Sequence, residues 1–192
     1  MASVVEICNQ ALMALGARTI NSLSDENESA RLMSAKYQWV RDAVLADHPW
    51  NSAAMRTTLP ADAEGPAFGW AYAYALPADW LRGRMVFDGQ GAPLDPTLWR
   101  VENGKILTDQ GPPLKVLYTR RISDPNLFEP LLREALAARL AVELCEAFDQ
   151  SQSMTETLRG IYERKLAEAR SADAQESAED PICRSSWLAA RR

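Results

Sequence analysis

The 192-residue chain is 47% apolar and 24% charged, which suits one soluble globular domain with a sizeable core and is barely enough for two. Its formal net charge of −5 argues against a bulk grip on DNA phosphates, because such a grip needs a basic patch to displace counterions. Three scattered cysteines, Cys8, Cys145 and Cys183, form no CxxC pair and no His/Cys cluster, so neither a disulfide framework nor a structural zinc site is expected and the chain reads as made in a reducing cytoplasm.

In chain order, Ser3 and Glu6 have capping-box spacing, and Val4, Cys8, Ala11, Leu12 and Leu15 then recur at helical intervals up to Gly16. The first helix is predicted over residues 4–15. Asp25 and Glu28 suggest a second cap, before a face of Met33, Tyr37, Val40 and Val44 in a helix over 26–47 that ends ahead of Pro49. No basic leader precedes these helices and no run approaches ~18 apolar residues, so no signal peptide or membrane span is expected.

Residues 50–122 are rich in proline and glycine and carry short strand signals. Trp70, Tyr72 and Tyr74 alternate with alanines, and Arg84–Phe87, Trp99–Val101, Lys105–Leu107 and Leu114–Arg120 follow. Asn103-Gly104 is a strong hairpin signal. A small antiparallel sheet with irregular loops is predicted here. Helix resumes over 130–148, with Pro130 in the first turn and a stripe of Leu132, Leu136, Leu140, Leu144 and Phe148. A capping box at Ser153 and Glu156 opens the last helix, 153–171, folded back antiparallel on the previous one. Residues 173–192 read as an acidic linker followed by an arm bearing Ile182, Trp187 and Leu188. The fold class is therefore α+β. An antiparallel α-helical bundle spans residues 1–172 with a small inserted antiparallel β-sheet, and an extended C-terminal tail follows.

Candidate chemistry is sparse. His48, the one histidine, lies at a helix end before Pro49-Trp50 and reads as an imidazole near the negative end of the helix dipole. Gly89-Gln90-Gly91 begins like a dinucleotide loop, but the third glycine is missing and Pro93 sits where the helix should open. Asp25 with Glu28, and Glu143 with Glu146, fit capping and solvated helix faces. No catalytic residue, metal ligand or cofactor is predicted. Trp39, Trp50 and Trp70 are assigned to the core. Trp187 reads either as part of a dispensable terminal tail or as an aromatic anchor for a partner, since Trp and Arg are enriched at interface hot spots. Arg82, Arg84, Arg120 and Arg121, interspersed with Asp79, Asp88 and Asp124, read as a mixed surface or, alternatively, as salt-bridging groups between subunits.

The run Ile7 to Gly16, then Ile20 to Asp25 and Glu28 to Arg31, resembles the start of the head–tail adaptor (connector) proteins of tailed bacteriophages. That family includes podophage tail tubular protein A and the adaptor of gene transfer agents. The His48-Pro49-Trp50 triplet, the stretch Phe68 to Arg82 and the passage from Tyr118 through Asp124 to Phe148 follow the family's order, so the resemblance covers roughly residues 4–171.

The resemblance implies a structural subunit and not an enzyme. Copies would form a ring, typically a dodecamer, between the portal protein and the stopper or tail proteins. The ring would extend the DNA channel of a virion, after synthesis in the host cytoplasm. DNA would pass through the lumen without specific nucleic-acid binding, and no membrane is involved. Carried onto this chain, the family's C-terminal arm makes Ile182, Arg184, Trp187, Leu188, Arg191 and Arg192 portal-docking candidates. The alternatives are a stopper or tail-completion protein of the same particle, a DNA-associated accessory protein, and a hydrolase with a non-obvious site.

Overall fold

The computed structural model describes residues 2–176 and places four α-helices and six β-strands among them. Helix α1 (Val4–Ala14) opens with the expected capping box. Ser3 Oγ accepts from the Glu6 N–H, and Glu6 accepts from the Ser3 N–H. Helix α2 (Glu28–Asp47) starts differently from expectation, with Asn27 as its cap, accepting from the Ala30 N–H at 2.8 Å. Asp25 is otherwise engaged, since its carboxylate accepts from the Asn21 N–H and closes the preceding turn.

Helix α3 (Pro130–Leu144) is the middle of the helical half, touching α1, α2 and α4. Leu132, Leu140 and Leu144 are at most 1% exposed, and each contributes about 2 kcal/mol of burial energy. They meet Leu12 of α1 and Met33 and Leu45 of α2 in one core. The stripe stops short of Phe148, because the backbone tightens into a 3-10 turn over Glu146–Phe148 and reverses at left-handed Asp149. Helix α4 (Gln152–Glu176) is capped two residues earlier than expected, Ser151 Oγ accepting from the Met154 N–H. It also continues five residues beyond the predicted end at 171, so Asp173 lies on a helix rather than in a linker.

The expectation of a helical bundle with a small inserted sheet is corrected by the β half. Its strands are β1 (Ala54–Leu59), β2 (Tyr72–Ala75), β3 (Trp80–Phe87), β4 (Trp99–Glu102), β5 (Lys105–Thr108) and β6 (Leu114–Arg120). They form two separate three-stranded antiparallel sheets, in the orders β1-β6-β3 and β2-β5-β4. Seven buried residues drawn from both sheets, among them Tyr74, Val86, Ile106 and Val116, make a second core of their own. The physical reason is alternation. Every strand with a two-residue period offers one apolar face, and the inner faces of the two sheets cover each other. The other face of the first sheet meets α2 at one end, through β3 and β6. The predicted extended C-terminal tail lies outside the described residues.

Local signals in this half hold. Asn103 and Gly104 both adopt positive φ, 47° and 71°, and close the β4–β5 hairpin, as a two-residue turn of that hand requires. Gly83 sits in β3 where a Cβ would come within 3.0 Å of the Trp80 ring and 3.2 Å of the Trp99 ring. Trp80 in turn stacks on Tyr118 at 4.8 Å, and the Tyr118 hydroxyl donates to Asp79. Of the three tryptophans assigned to the core, Trp50 is fully buried, Trp70 is half-buried before β2, and Trp39 stands 79% exposed on the outside of α2.

Candidate functional site

The two halves meet at the His48-Pro49-Trp50 triplet. Proline at 49 disfavours helical backbone at the residue before it, and His48 is extended (φ −131°, ψ 149°), which ends α2 and turns the chain toward β1. Trp50 fills the junction with no exposed surface, and its indole N–H donates to the Val44 carbonyl of the last α2 turn at 2.9 Å. The His48 ring lies edge-on to it, 4.5 Å between centroids.

Opposite stands Asp173 from the last turns of α4, 2% exposed. One carboxylate oxygen is 3.0 Å from His48 Nε2, and the other accepts from the Asn51 N–H at 2.7 Å. The Asp173 carbonyl accepts from Asn51 Nδ2, also at 2.7 Å. One side chain from the end of α4 thus ties down the end of α2 and the entry to β1, more than 120 residues earlier. Arg84 of β3 completes the seam, donating from Nη2 to the Trp50 carbonyl at 2.6 Å and from Nε to Thr119 Oγ1.

Glu129, at the start of α3, belongs to the same cluster. Burial pushes its carboxyl pKa up from 4.5, and the charges of Asp173 and Glu176 and a hydrogen bond with Asp173 push the same way, while Ser52 beside it pulls down. The Ser52 hydroxyl is buried and has no well-aligned hydrogen bond among the described residues, so this pull is the weakest influence on Glu129. A carboxyl whose folded pKa is raised favours the protonated, folded form. Its contribution is fully present below the unfolded value of 4.5 and is lost as pH rises through the folded value. Glu129→Gln, which fixes the neutral form, is therefore expected to raise the thermal midpoint at pH 7, with the gain over wild type disappearing as pH falls below 4.5. Thermal melts across pH 4–8 check this, and an equal gain at every pH would count against it.

In chemical terms the cluster is a clasp. The His48 nitrogen facing inward is taken by Asp173, and Asp173 spends its second oxygen on a backbone N–H. Cys8 is in the helical core, where burial pushes its thiol up to about 12 and keeps it protonated and unreactive. Sequence reasoning placed His48 at a helix end, as found, but missed Asp173, Asn51 and Glu129. A signal for Asp173 was present: Leu158, Tyr162, Leu166 and Ala169 face inward on α4, and 173 is the next position of that stripe.

The clustered arginines serve the seam as well. Arg121 pairs with Asp42 of α2 at 2.8 Å, its N–H donates to the Asp79 carbonyl, and Arg82 reaches the Ala46 carbonyl at 3.2 Å. These groups sew the first sheet to α2 within one chain. Among the described residues, two large aromatic side chains remain on the outside, Trp39 on α2 and Phe68, 88% exposed, in the loop before β2. On the first sheet, the end not covered by α2 has a hollow of about 350 Å³ lined by Arg56, Thr58, Phe87 and Lys115. The docking candidates Ile182, Arg184, Trp187, Leu188, Arg191 and Arg192 lie outside the described residues. No described helix is long and apolar enough to cross a membrane. Compared with protein-family models and with curated proteins, the chain matches none.

Proposed function

We propose that this protein is a structural subunit of a head–tail adaptor ring, seated between a portal and the stopper or tail of a phage-like particle. The observation that carries the reading is the pair of exposed aromatics on separate elements, Trp39 at 79% and Phe68 at 88% exposure. A ring is built from one heterologous contact repeated by rotation, so each subunit needs two different sticky patches. Large aromatic side chains left in water are the currency of such contacts. The clasp supports the same reading, because a subunit that transmits load needs its helical and β halves locked together. The sequence resemblance, from Ile7 through Phe148, supplies the kind of ring. In this proposal Ile182, Arg184, Trp187, Leu188, Arg191 and Arg192 form the arm that docks on the portal, and the protein does no catalysis.

The test is electron cryomicroscopy of purified particles carrying a labelled copy of this chain. A ring of density directly beneath the portal is expected, and Trp39→Ala is expected to deplete it by about tenfold, the weight of one hot-spot side chain at a repeated interface. Labelled density elsewhere in the particle, or none, would overturn the reading.

A further inference from the structure

Three hollows on the helical half each contain one arginine, and each also contains carboxylates. Arg31 shares its hollow with Asp25 and Glu26, Arg133 with Glu6 and Glu134, and Arg159 with Glu143 and Glu146. The hollow on the first sheet is the opposite case. Its cations are Arg56 and Lys115, and no acid lines it. The chain as a whole is acidic, with a net charge of −5, so this local reversal of sign needs a reason.

The strand register sets the two cations side by side. Lys115 of β6 is opposite Thr58 of β1, and Arg56 is opposite Leu117, so Arg56 and Lys115 share one face of the sheet as diagonal neighbours. Like charges so placed repel each other. Both are nevertheless held over the hollow. The Arg56 guanidinium reaches across the sheet to lie 5.7 Å from the Phe87 ring centroid of β3, and Lys115 Nζ donates to the Gly89 carbonyl at 3.1 Å. Neither has an ion-pair partner among the described residues. Asp88, the acid of the loop that follows β3, is turned to its own backbone and accepts from the Gln90 and Ala92 N–H groups. No described residue therefore relieves the repulsion.

Charge and shape narrow the anion that would. A carboxylate or a sulfate ester brings one charge and leaves the other cation uncompensated. A phosphate monoester brings nearly two at neutral pH, spread over three acceptor oxygens. Arg56 has a planar fork of donors to offer it, and Lys115 has two N–H donors besides the one on Gly89. Thr58 adds a hydroxyl to the lining. The hollow, about 350 Å³, also has room for an apolar body beside the half-buried Phe87 ring.

The geometry points to a binding site for a small organic phosphate monoester. Its dianion lies between Arg56 and Lys115, and its apolar body lies against Phe87. The site occupies the end of the sheet face that α2 leaves bare, and it stands whether or not the adaptor reading holds.

The probe is phenyl phosphate, titrated into the 15N-labelled full chain and followed by two-dimensional NMR. At pH 7.5 the amide signals of Arg56, Thr58, Phe87, Gly91 and Lys115 are expected to move together and to saturate. Phenyl sulfate has a similar shape and one charge, and it is expected to bind about tenfold more weakly. The second pKa of a phosphate monoester is about 6, so the affinity for phenyl phosphate is expected to fall toward that for the sulfate between pH 7.5 and pH 5. Both of these readouts use the unaltered protein. Arg56→Gln and Lys115→Gln are each expected to weaken binding about tenfold, whereas Arg31→Gln, in a hollow with its own carboxylates, is expected to leave it unchanged. Circular dichroism confirms that each variant is folded. Equal affinities for the phosphate and the sulfate would overturn the site. So would the absence of saturable shifts, shifts of equal size around Arg31, Arg133 and Arg159, or binding that survives both glutamine changes together.

Discussion

Asp173→Ala is expected to destabilise the fold by about 3 kcal/mol, far more than its place near the end of the described chain suggests. The carboxylate is 2% exposed and meets two donors at once, His48 Nε2 and the Asn51 N–H. Removing it strands a partly buried backbone donor, and that is the costly half of any broken hydrogen bond. Asp173→Asn separates the two roles. One amide oxygen can still accept from Asn51, so a loss of only about 1 kcal/mol is expected. Urea unfolding followed by far-UV circular dichroism measures both variants. Equal losses for Ala and Asn would mean that the contact with His48, not the one with Asn51, holds the clasp. A loss below about 1 kcal/mol for Ala would mean that the clasp is not a stabilising feature.

Trp50→Ala is expected to cost more, about 4 kcal/mol, the usual toll for emptying a large buried aromatic site. Its indole has no exposed surface and anchors the last turn of α2 through the Val44 carbonyl. Trp50→Phe keeps most of the volume and loses the N–H, so a cost of about 1.5 kcal/mol is expected. Because Trp50 sits between the helical half and the first sheet, the alanine variant is also expected to broaden the unfolding transition as the halves lose their coupling. Combined with Asp173→Ala, the two losses should fall short of their sum, since both act on the same few residues around Asn51. Full additivity in that cycle would show that the indole and the carboxylate hold separate joints.

Features decided within a few residues were legible in the sequence. Ser3 with Glu6, Asn103 with Gly104 and the leucine stripe of α3 all appear where their spacing puts them, because each is settled by neighbours one turn away. The cap of α2 was missed by two residues because Asp25 and Asn27 are both good caps, and a turn back to Asn21 engaged the first of them. Trp39 and Trp50 show why burial of a single residue is harder. Trp39 falls outside the inward stripe of Met33, Tyr37, Val40 and Val44, and its size alone had suggested core. The partition of the strands into two sheets depends on pairings such as Ala54 with Thr119, which no local pattern encodes. The inward stripe of α4 marked the position of Asp173, but its partners, more than 120 residues away, were not legible.

The placement of β6 bears on the order in which the molecule assembles during synthesis. β6 is the middle strand of its sheet, and its partners β1 and β3 both precede it, so the first sheet stays unpaired until residue 120 has emerged. The helical core waits longer. α1 packs chiefly on α3, and the junction at His48 closes only when Asp173 arrives. At about 5–20 residues per second, the gap between Asn51 and Asp173 corresponds to roughly 6–24 seconds of translation. Until α3 has emerged at residue 144, α1 and α2 carry apolar faces without their main partner. The nascent chain is therefore expected to expose apolar surface through much of its synthesis and to close its helix–sheet junction only in a late step.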